Sequence, residues 1–313
     1  MSGVATVGVV VPTFRRPNDL KRCLLALAEQ HRAPDEVIVV VRDSDVETLD
    51  MLRAHDASSL AIRTVAVTVP GQVQALNAGL QSIKSDIMAI TDDDAAPHAD
   101  WLERIVAHLT ARPDVAGIGG RDYLHVGGRL IEGRKKVVGI IPRFRSHVGH
   151  HHLGYGYPRE VDVLKGVNGS YRVSAIRDVG FDERLRGTGA QVHWEISLGL
   201  ALKRRRWKLL YDPLVAVDHF LAPRFDEDQR NSFNELALRN MAFNEALLRF
   251  EDVGTAERLL YFLWAAVIGT SVLPGFVQAV RFFPVLRMLA LKRFIVCIQG
   301  RAQAWGAAGR SAV

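Results

Sequence analysis

Three adjacent carboxylates end an apolar run near the middle of the first half of this chain. Residues 87–91 read Ile-Met-Ala-Ile-Thr and are followed by Asp92, Asp93 and Asp94. Like charges this close destabilise a fold unless a cation lies among them. If the run is a strand, side chains two residues apart leave on the same face, so Asp92 and Asp94 can bind one ion. Mg²⁺ or Mn²⁺ prefers carboxylate and phosphate oxygens, and such a pair leaves room for a diphosphate. A solvated, helix-capping acidic turn is the alternative.

The elements that position this triplet follow from hydrophobic periodicity. Buried strands are predicted at residues 7–11, 36–41, 62–67 and 87–91, and helices from Pro17, at 46–52, at 73–83 and at 101–111. Four alternations of strand and helix predict a doubly wound parallel α/β sheet with right-handed crossovers. Ligands bind such sheets at the carboxyl ends of the strands. Thr13, Asp43 and the aspartate triplet all lie at those ends.

The first turn, residues 11–17, offers polar groups but lacks the glycine pattern of a dinucleotide fold or a P-loop. A nicotinamide dehydrogenase and a P-loop ATPase are therefore disfavoured. Thr13 supplies a hydroxyl, and Arg15 and Arg16 supply guanidinium groups for the charged oxygens of a ligand. The carboxylate of Asp43 can accept hydrogen bonds from a nucleobase or a ribose. A solvated loop remains the alternative for this turn.

Composition limits the possible partners and the compartment. The 313 residues carry a net charge of +6 and a hydrophobic content of 48%, which suits one large domain or two small ones with an anionic partner. Nucleotides, lipid head groups and nucleic acid all qualify. Cys23 falls on the apolar face of a predicted helix, so a reducing compartment is expected. Because the N-terminus carries no signal-peptide pattern, secretion is not expected.

A basic stretch at residues 121–160 has no clear periodicity and contains Arg143, Arg145 and His150-His151-His152. A loop of this length is more often functional than a spacer. No cysteine or carboxylate lies among the histidines, so a basic loop near an anionic substrate, or simply in solvent, is favoured over a zinc site.

Several motifs further along the chain share an order and a spacing with a known family. They are Val11-Pro12-Thr13-Phe14-Arg15-Arg16 with Leu20, the triplet followed by Pro97, Gly166-x-Asn168-x-x-x-Arg172, residues 179–185, Glu195 before a helix, and Tyr211-Asp212-Pro213 leading to His219. Together they resemble family 2 glycosyltransferases with a GT-A fold, over residues 5–220. The resemblance implies a nucleotide-binding α/β sheet with flanking helices.

The resemblance also implies roles for individual residues. The catalytic domain would comprise residues 1–222, with a donor half at 1–121 and an acceptor half at 122–222. Donor-nucleotide contacts would come from Pro12, Thr13, Arg15, Asp43, Asn77, Asp92 and Asp93; metal ligands would be Asp92, Asp94 and His219; acceptor contacts would be Asn168 and Trp194. Glu195 would be the general base. The family usually has Glu-Asp where this chain reads Trp194-Glu195, so its carboxylate sits one methylene further out.

The C-terminal region, residues 223–313, contains the most apolar stretch, Leu259 to Val280, divided by Pro274-Gly275. The stretch is long enough to span a bilayer. Basic residues on its C-terminal side favour a cytoplasmic C-terminus, which conflicts with one complete crossing by an enzyme whose sugar-nucleotide site is cytoplasmic. A re-entrant or interfacial pair of helices on anionic lipid satisfies both requirements. A true span and a buried helical subdomain remain alternatives.

The sequence therefore predicts an inverting, metal-dependent transferase that moves a hexosyl or deoxyhexosyl group from a nucleoside-diphosphate sugar to an acceptor hydroxyl. A glycan or lipid-linked acceptor of the cell envelope is expected, with the enzyme in the cytoplasm at the inner face of the membrane. The alternative is a non-catalytic nucleotide-sugar-binding or membrane scaffold protein. Nucleic-acid binding is not expected, because the basic residues are scattered and no reading motif accompanies them.

Overall fold

The computed structural model describes residues 5–54, 60–142, 148–229, 232–251 and 253–308. Residues 143–147, which include Arg143 and Arg145 of the predicted basic loop, lie outside that set. The chain divides into two units. The first comprises Met1–Phe181 and Glu195–Pro223, and the second comprises Asp182–Trp194 and Arg224–Val313.

A ten-stranded mixed sheet forms the centre of the first unit. Its strands are β1 (Val7–Thr13), β2 (Glu36–Arg42), β3 (Ile62–Val67), β4 (Ile87–Ile90), β5 (Ala95–Pro97), β6 (Val115–Val126), β7 (Arg129–Leu130), β8 (Arg159–Val161), β9 (Gly169–Arg172) and β10 (Lys208–Phe220). The order across the sheet is β3-β2-β1-β4-β9-β6-β10-β5, with β7 on β6 and β8 on β10.

The helices of this unit are α1 (Pro17–Ala28), α2 (Val46–Ala54), α3 (Gln72–Ser82), α4 (Trp101–Ala111), α5 (Val173–Ile176) and α6 (Trp194–Arg204), with one 3-10 turn at His151–Leu153. Helix α1 begins at Pro17 as predicted, since proline suits the first helical turn. Its buried side chains, Leu20, Cys23, Leu24 and Leu27, follow the predicted helical spacing. The expectation of an α/β sheet with flanking helices is confirmed.

The expectation of a wholly parallel sheet is wrong beyond β4. Strands β3, β2, β1 and β4 are parallel, but β9 runs antiparallel to both β4 and β6. A crossover helix returns the chain in the same direction, whereas β9 is reached through the irregular segment after β7, so its direction is free to reverse. Strands β6 and β10 then continue parallel to one another.

Strand β6 was missed because three glycines interrupt its apolar pattern. A side chain at Gly119 would put its Cβ 2.2 Å from the carbonyl oxygen of Asn168, and one at Gly120 would put its Cβ 2.0 Å from that of Val215. These glycines therefore allow neighbouring backbone segments to approach closely. Strand β10 is also irregular, because its pairing with β6 shifts register between Asp212 and Val217.

The second unit is helical, with α7 (Glu235–Phe250), α8 (Thr255–Val267), α9 (Phe276–Leu286) and α10 (Met288–Ala308). Helix α10 packs closely on α7 at Gly300, where an added Cβ would lie 2.4 Å from the Arg239 carbonyl oxygen. The predicted break at Pro274-Gly275 separates α8 from α9. Within the described residues, no helix combines the length and the apolar character that a membrane crossing requires. Membrane attachment of this region stays a prediction.

Candidate active site

The aspartate triplet lies in the turn between β4 and β5, because strand β4 ends at Ile90. The assumption that it continues the strand is wrong, yet Asp92 and Asp94 still converge. Hydrogen bonds hold the turn in place: the backbone N–H of Phe220 donates to the Asp94 carbonyl oxygen at 2.8 Å, and that of Ala222 donates to Asp94 Oδ2 at 3.0 Å. The antiparallel pairing of β5 with β10 then brings His219 alongside.

Asp92, Asp94 and His219, the three predicted metal ligands, come together at this turn. One ligand atom from each lies within 4.8 Å of the others. The Nε2 atom of His219 is 3.4 Å from Asp94 Oδ1. Two carboxylates and one imidazole form a donor set that fits a divalent cation such as Mn²⁺ or Mg²⁺.

The charge around Asp94 is strongly compensated. Burial by itself would raise the pKa of Asp94, but hydrogen bonding and charge from His219, together with Arg16, lower that pKa well below its ordinary range. The pKa of His219 is raised because Asp122 and Asp94 outweigh the effect of its burial. The site therefore holds ionised carboxylate at Asp94 across the physiological range.

Asp93 faces the protein interior. Its carboxylate is fully buried, accepts a hydrogen bond from Thr13 Oγ1 at 2.7 Å and pairs with Arg16 Nη2 at 2.8 Å. Burial raises the pKa of Asp93 to about 7, against the opposing effect of Arg16. These contacts give Asp93 and the Thr13 hydroxyl a structural role, joining the ends of β4 and β1. Their predicted donor contacts stay predictions.

Arg15 and Asp43 lie at the carboxyl ends of β1 and β2, with exposed side chains. Arg15 has a left-handed backbone, φ 57°, and its N–H donates to Asp45 Oδ2 at 2.5 Å. This strained turn lies at the sheet edge where ligands bind. Pro12 is buried within β1, opposite Val40 of β2. The donor-binding role of these residues stays a prediction.

Asn77 is engaged by the fold. Its Nδ2 donates to the Phe181 carbonyl oxygen at 2.9 Å, and its Oδ1 accepts from the Phe181 N–H at 2.8 Å. The side-chain amide of Asn77 thus pairs with both backbone polar groups of Phe181, as a neighbouring strand would. Asn77 therefore has a structural role, and its predicted donor contact stays a prediction.

Asn168 is also engaged by the fold. It is completely buried, accepts a hydrogen bond from Trp101 Nε1 at 2.9 Å and donates to the Val215 carbonyl oxygen at 2.8 Å. These contacts give Asn168 a structural role as well, and its predicted acceptor contact stays a prediction. Trp194, the other predicted acceptor residue, is buried at the start of α6, and its role stays a prediction.

Glu195, the second residue of α6, is half-buried. Burial raises its pKa, and the negative charge of Asp92 adds to the effect, while a backbone hydrogen bond from Gly166 and the charge of Lys165 oppose it. A carboxylate with a raised pKa is a stronger base than an ordinary glutamate. Because the charge of Asp92 acts on Glu195, the predicted base lies within electrostatic range of one predicted metal ligand.

Asp122 and Lys165 were not identified from the sequence. Asp122 lies in β6 with no exposed surface, and its carboxylate contacts Lys165 Nζ. Its Oδ2 is also 3.5 Å from His219 Nδ1. Burial favours the neutral form, but Lys165 and His219 lower the pKa of Asp122 overall. The sequence signal that could have identified Asp122 is an aspartate inside a glycine-rich buried strand, because a buried carboxylate needs a partner.

Comparisons with known proteins agree with this geometry. The profile of Glycosyl transferase family 2 matches residues 8–180. Glycosyltransferase AglE of Haloferax volcanii is 26% identical over 196 residues, which cover 60% of this chain and 59% of AglE, so the alignment spans about three fifths of that relative.

Two solved structures share the fold. The mannosyltransferase PcManGT of Pyrobaculum calidifontis, in complex with GDP-Man and Mn²⁺, has a TM-score of 0.54 at 17% identity and covers 98% of this chain and 87% of its own. S. aureus TarS 1-349 in complex with UDP-GlcNAc has a TM-score of 0.55 at 15% identity, with coverage of 98% and 92%. The predicted resemblance is confirmed. Because the profile matches more than half of its length, the chain belongs to glycosyl transferase family 2 and has a GT-A fold.

Proposed function

We propose that this chain transfers a hexosyl or deoxyhexosyl group from a nucleoside-diphosphate sugar to an acceptor hydroxyl, with inversion at the anomeric carbon. The observation that carries the proposal is the convergence of Asp92, Asp94 and His219 at the carboxyl end of β4, with Glu195 interacting electrostatically with Asp92. A non-catalytic nucleotide-sugar-binding protein could also use the three metal ligands, but it has no need of a general base. The carboxylate at Glu195 therefore favours the enzyme over the non-catalytic alternative.

The nature of the donor is supported by the two solved structures. One contains GDP-Man with Mn²⁺ and the other contains UDP-GlcNAc. Both ligands are nucleoside-diphosphate sugars, and a diphosphate supplies the oxygens that a hard cation seeks beyond a few protein ligands. The exposed side chains of Arg15 and Asp43 at the neighbouring strand ends are available for the nucleoside.

The residues of the site divide the chemistry among them. A divalent cation held by Asp92, Asp94 and His219 would neutralise charge on the departing nucleoside diphosphate. Glu195 accepts the proton of the acceptor hydroxyl as its oxygen attacks the anomeric carbon. The new carbon–oxygen bond forms as the bond to the diphosphate breaks, and the diphosphate leaves with that electron pair. A single base and a direct displacement give inversion.

We also propose that the acceptor is an envelope or lipid-linked glycan and that transfer takes place in the cytoplasm, at the inner face of a membrane. The net charge of +6 supports this location, because a basic protein is attracted to an anionic surface or partner. The second unit supports it too, because Glu257 is the single acidic residue between Thr255 and Ala308, whereas six arginines and lysines lie in that range.

Calorimetric titration of the full chain with UDP, GDP and dTDP, each with Mn²⁺ and with EDTA, tests the donor site. We expect one nucleotide to bind in a metal-dependent manner, and Asp94→Ala to lose that binding. Asp114→Ala, at an exposed aspartate of the same unit, is the matched control and should bind normally. If no nucleotide bound to folded protein, or if Asp94→Ala bound as well as the control, the proposal would be overturned. Turnover with the matching sugar nucleotide, followed by NMR of the product anomer, then tests inversion.

A further inference from the structure

Helices α8 and α9 turn apolar side chains toward solvent. The apolar face consists of Leu259, Leu260, Leu263 and Val267 on α8 and Phe276, Val277, Val280 and Phe283 on α9, each 36% to 59% exposed. On each helix these positions recur at spacings of one, three and four residues, which is one side of a helix. On α8 the opposite side carries the buried residues Tyr261 and Ala265, and on α9 the buried residue is Ala279. An apolar surface of this extent marks an interaction site.

The two helices form a hairpin with a firmly held turn. Gly269 has φ 60° and pairs with Pro274, so the chain reverses between α8 and α9. Arg301 of α10, 1% exposed, donates from Nη1 to the Ala265 carbonyl oxygen at 2.9 Å and from Nη2 to that of Leu273 at 2.8 Å. These bonds satisfy carbonyls that the end of α8 and the turn would otherwise leave unpaired. The apolar face is therefore a property of an ordered hairpin.

The charge near the apolar face is positive. Arg281 on α9 and Arg287, just after α9, have exposed side chains. The four other basic residues of these helices have partners in the fold. Lys292 pairs with Glu235 at 2.8 Å, and Arg301 is buried. Arg293 donates to the Val272 carbonyl oxygen at 3.2 Å, and Arg258 donates to that of Val253 at 3.1 Å. Two available guanidinium groups next to an apolar face match the phosphates and acyl chains of an anionic bilayer. A second copy of the chain would bring the same positive charges together, which disfavours self-association.

We propose that the α8–α9 hairpin is a membrane-docking surface. Its apolar face lies among the outer acyl segments of an anionic bilayer, and Arg281 and Arg287 contact lipid phosphates. With 13 and 11 residues, the two helices are about 20 Å and 16 Å long at ~1.5 Å per residue, well short of a hydrocarbon core of ~30 Å. The hairpin therefore lies in the interface. This inference names the surface behind the membrane location proposed above and rests on that proposal.

Co-sedimentation of the full chain with vesicles of phosphatidylcholine, with and without phosphatidylglycerol, tests the surface. We expect binding to the anionic vesicles. The double variant Leu263→Asp/Val280→Asp should weaken it at least ~tenfold, because each carboxylate opposes burial of that position in the interface. The double variant Arg281→Glu/Arg287→Glu should bind anionic vesicles at least ~fivefold more weakly per arginine replaced, and its binding to neutral vesicles should be unchanged. The control is Leu25→Asp, at a position 56% exposed on α1, which should bind as the unaltered chain does.

Absence of vesicle binding by the unaltered chain, or equal binding by the apolar-face variant, would overturn the proposal. So would a dimer in light scattering that the apolar-face variant splits while vesicle binding is unchanged, because a second copy would then cover the face. The nucleotide titration, repeated on these variants, keeps the two proposals apart. Intact nucleotide binding without vesicle binding overturns only the docking surface, and vesicle binding without nucleotide binding overturns only the transferase.

Discussion

The carboxylate of Asp122 lies 3.5 Å from Nδ1 of His219, while Nε2 of the same ring lies 3.4 Å from Asp94. The imidazole thus bridges two buried carboxylates. In the neutral ring, a carboxylate beside Nδ1 favours the tautomer that carries its proton there, which would leave the Nε2 lone pair toward the candidate metal site. Lys165, in contact with Asp122, keeps that carboxylate charged. Asp122 is accordingly a positioning residue for a predicted metal ligand.

Asp122→Asn should weaken Mn²⁺ binding by about 10- to 100-fold, because His219 loses the charged partner that orients it. Titration of Mn²⁺, followed by the loss of its free-ion electron paramagnetic resonance signal, measures this directly. Asp212→Asn is the matched control, since Asp212 is also buried and contacts His108 at 2.7 Å without belonging to the metal candidates. Equal Mn²⁺ affinity in both variants would leave Asp122 with a purely structural role.

Glu195→Gln should lower kcat by about 10²- to 10⁴-fold, because the amide cannot accept the proton of the acceptor hydroxyl. Donor binding should be nearly unchanged, since the side chain keeps its shape. Initial rates at saturating donor, with calorimetry of the nucleotide, separate the two effects. Glu160→Gln, at an exposed glutamate of the same unit, should keep full activity. Comparable rates in the two variants would remove Glu195 from the role of base.

The pH dependence of transfer should report the raised pKa of Glu195. A general base acts when it is ionised, so kcat/KM should fall as the pH drops through that pKa, above the ordinary glutamate value. Lys165 lowers the pKa of Glu195, so Lys165→Met should move the acid limb of the profile to higher pH. Lys208→Met, at a lysine paired with Asp114 and Glu160, should leave it in place. An unmoved limb in Lys165→Met would refute this coupling.

Asn77→Ala should destabilise the protein by about 1–3 kcal/mol, because the backbone N–H and carbonyl of Phe181 would lose their buried partners. Urea unfolding measures the loss, and Asn18→Ala, at an exposed position of α1, should be close to neutral. Nucleotide affinity should be retained. Reduced affinity at unchanged stability would instead support the donor contact expected from the sequence.

The parts of the fold that could be predicted are those with a simple period. Helix α4 occupies the predicted residues because its apolar positions recur at helical spacing. Strand β3 also occupies the predicted residues, but it lies at the edge of the sheet and none of its residues is buried, so the expectation of a buried strand there is wrong. Strand β6 could not be predicted, because its glycines are required by the close approach of backbone atoms from distant segments, such as the carbonyl oxygen of Val215. A contact between residues far apart in sequence leaves no periodic trace.

The candidate site shows the same division. Asp92, Asp94 and His219 could be identified because an acidic triplet and a known spacing single them out, and the structure brings them together. The sequence could not tell which polar residues face a ligand and which face the fold. Asn168 and Asp93 carry the same kinds of groups as ligand-binding residues. In the structure, however, Trp101 donates a hydrogen bond to Asn168, and Arg16 forms an ion pair with Asp93. Only the tertiary arrangement decides where a buried amide or carboxylate finds its partner.

The second unit is assembled from two separated pieces of sequence. Its shorter piece, Asp182–Trp194, is held by Asn244 of α7, whose Nδ2 donates to the carbonyl oxygens of Arg186 and Val192 and whose Oδ1 accepts from the Arg186 N–H. That piece runs directly into Glu195. A shortened protein ending at Pro223 would keep every predicted catalytic residue but would lose the helix that anchors the segment before the base. Deletion of the C-terminal helices is therefore a poor route to a minimal enzyme, and point substitutions on those helices are the better way to dissect them.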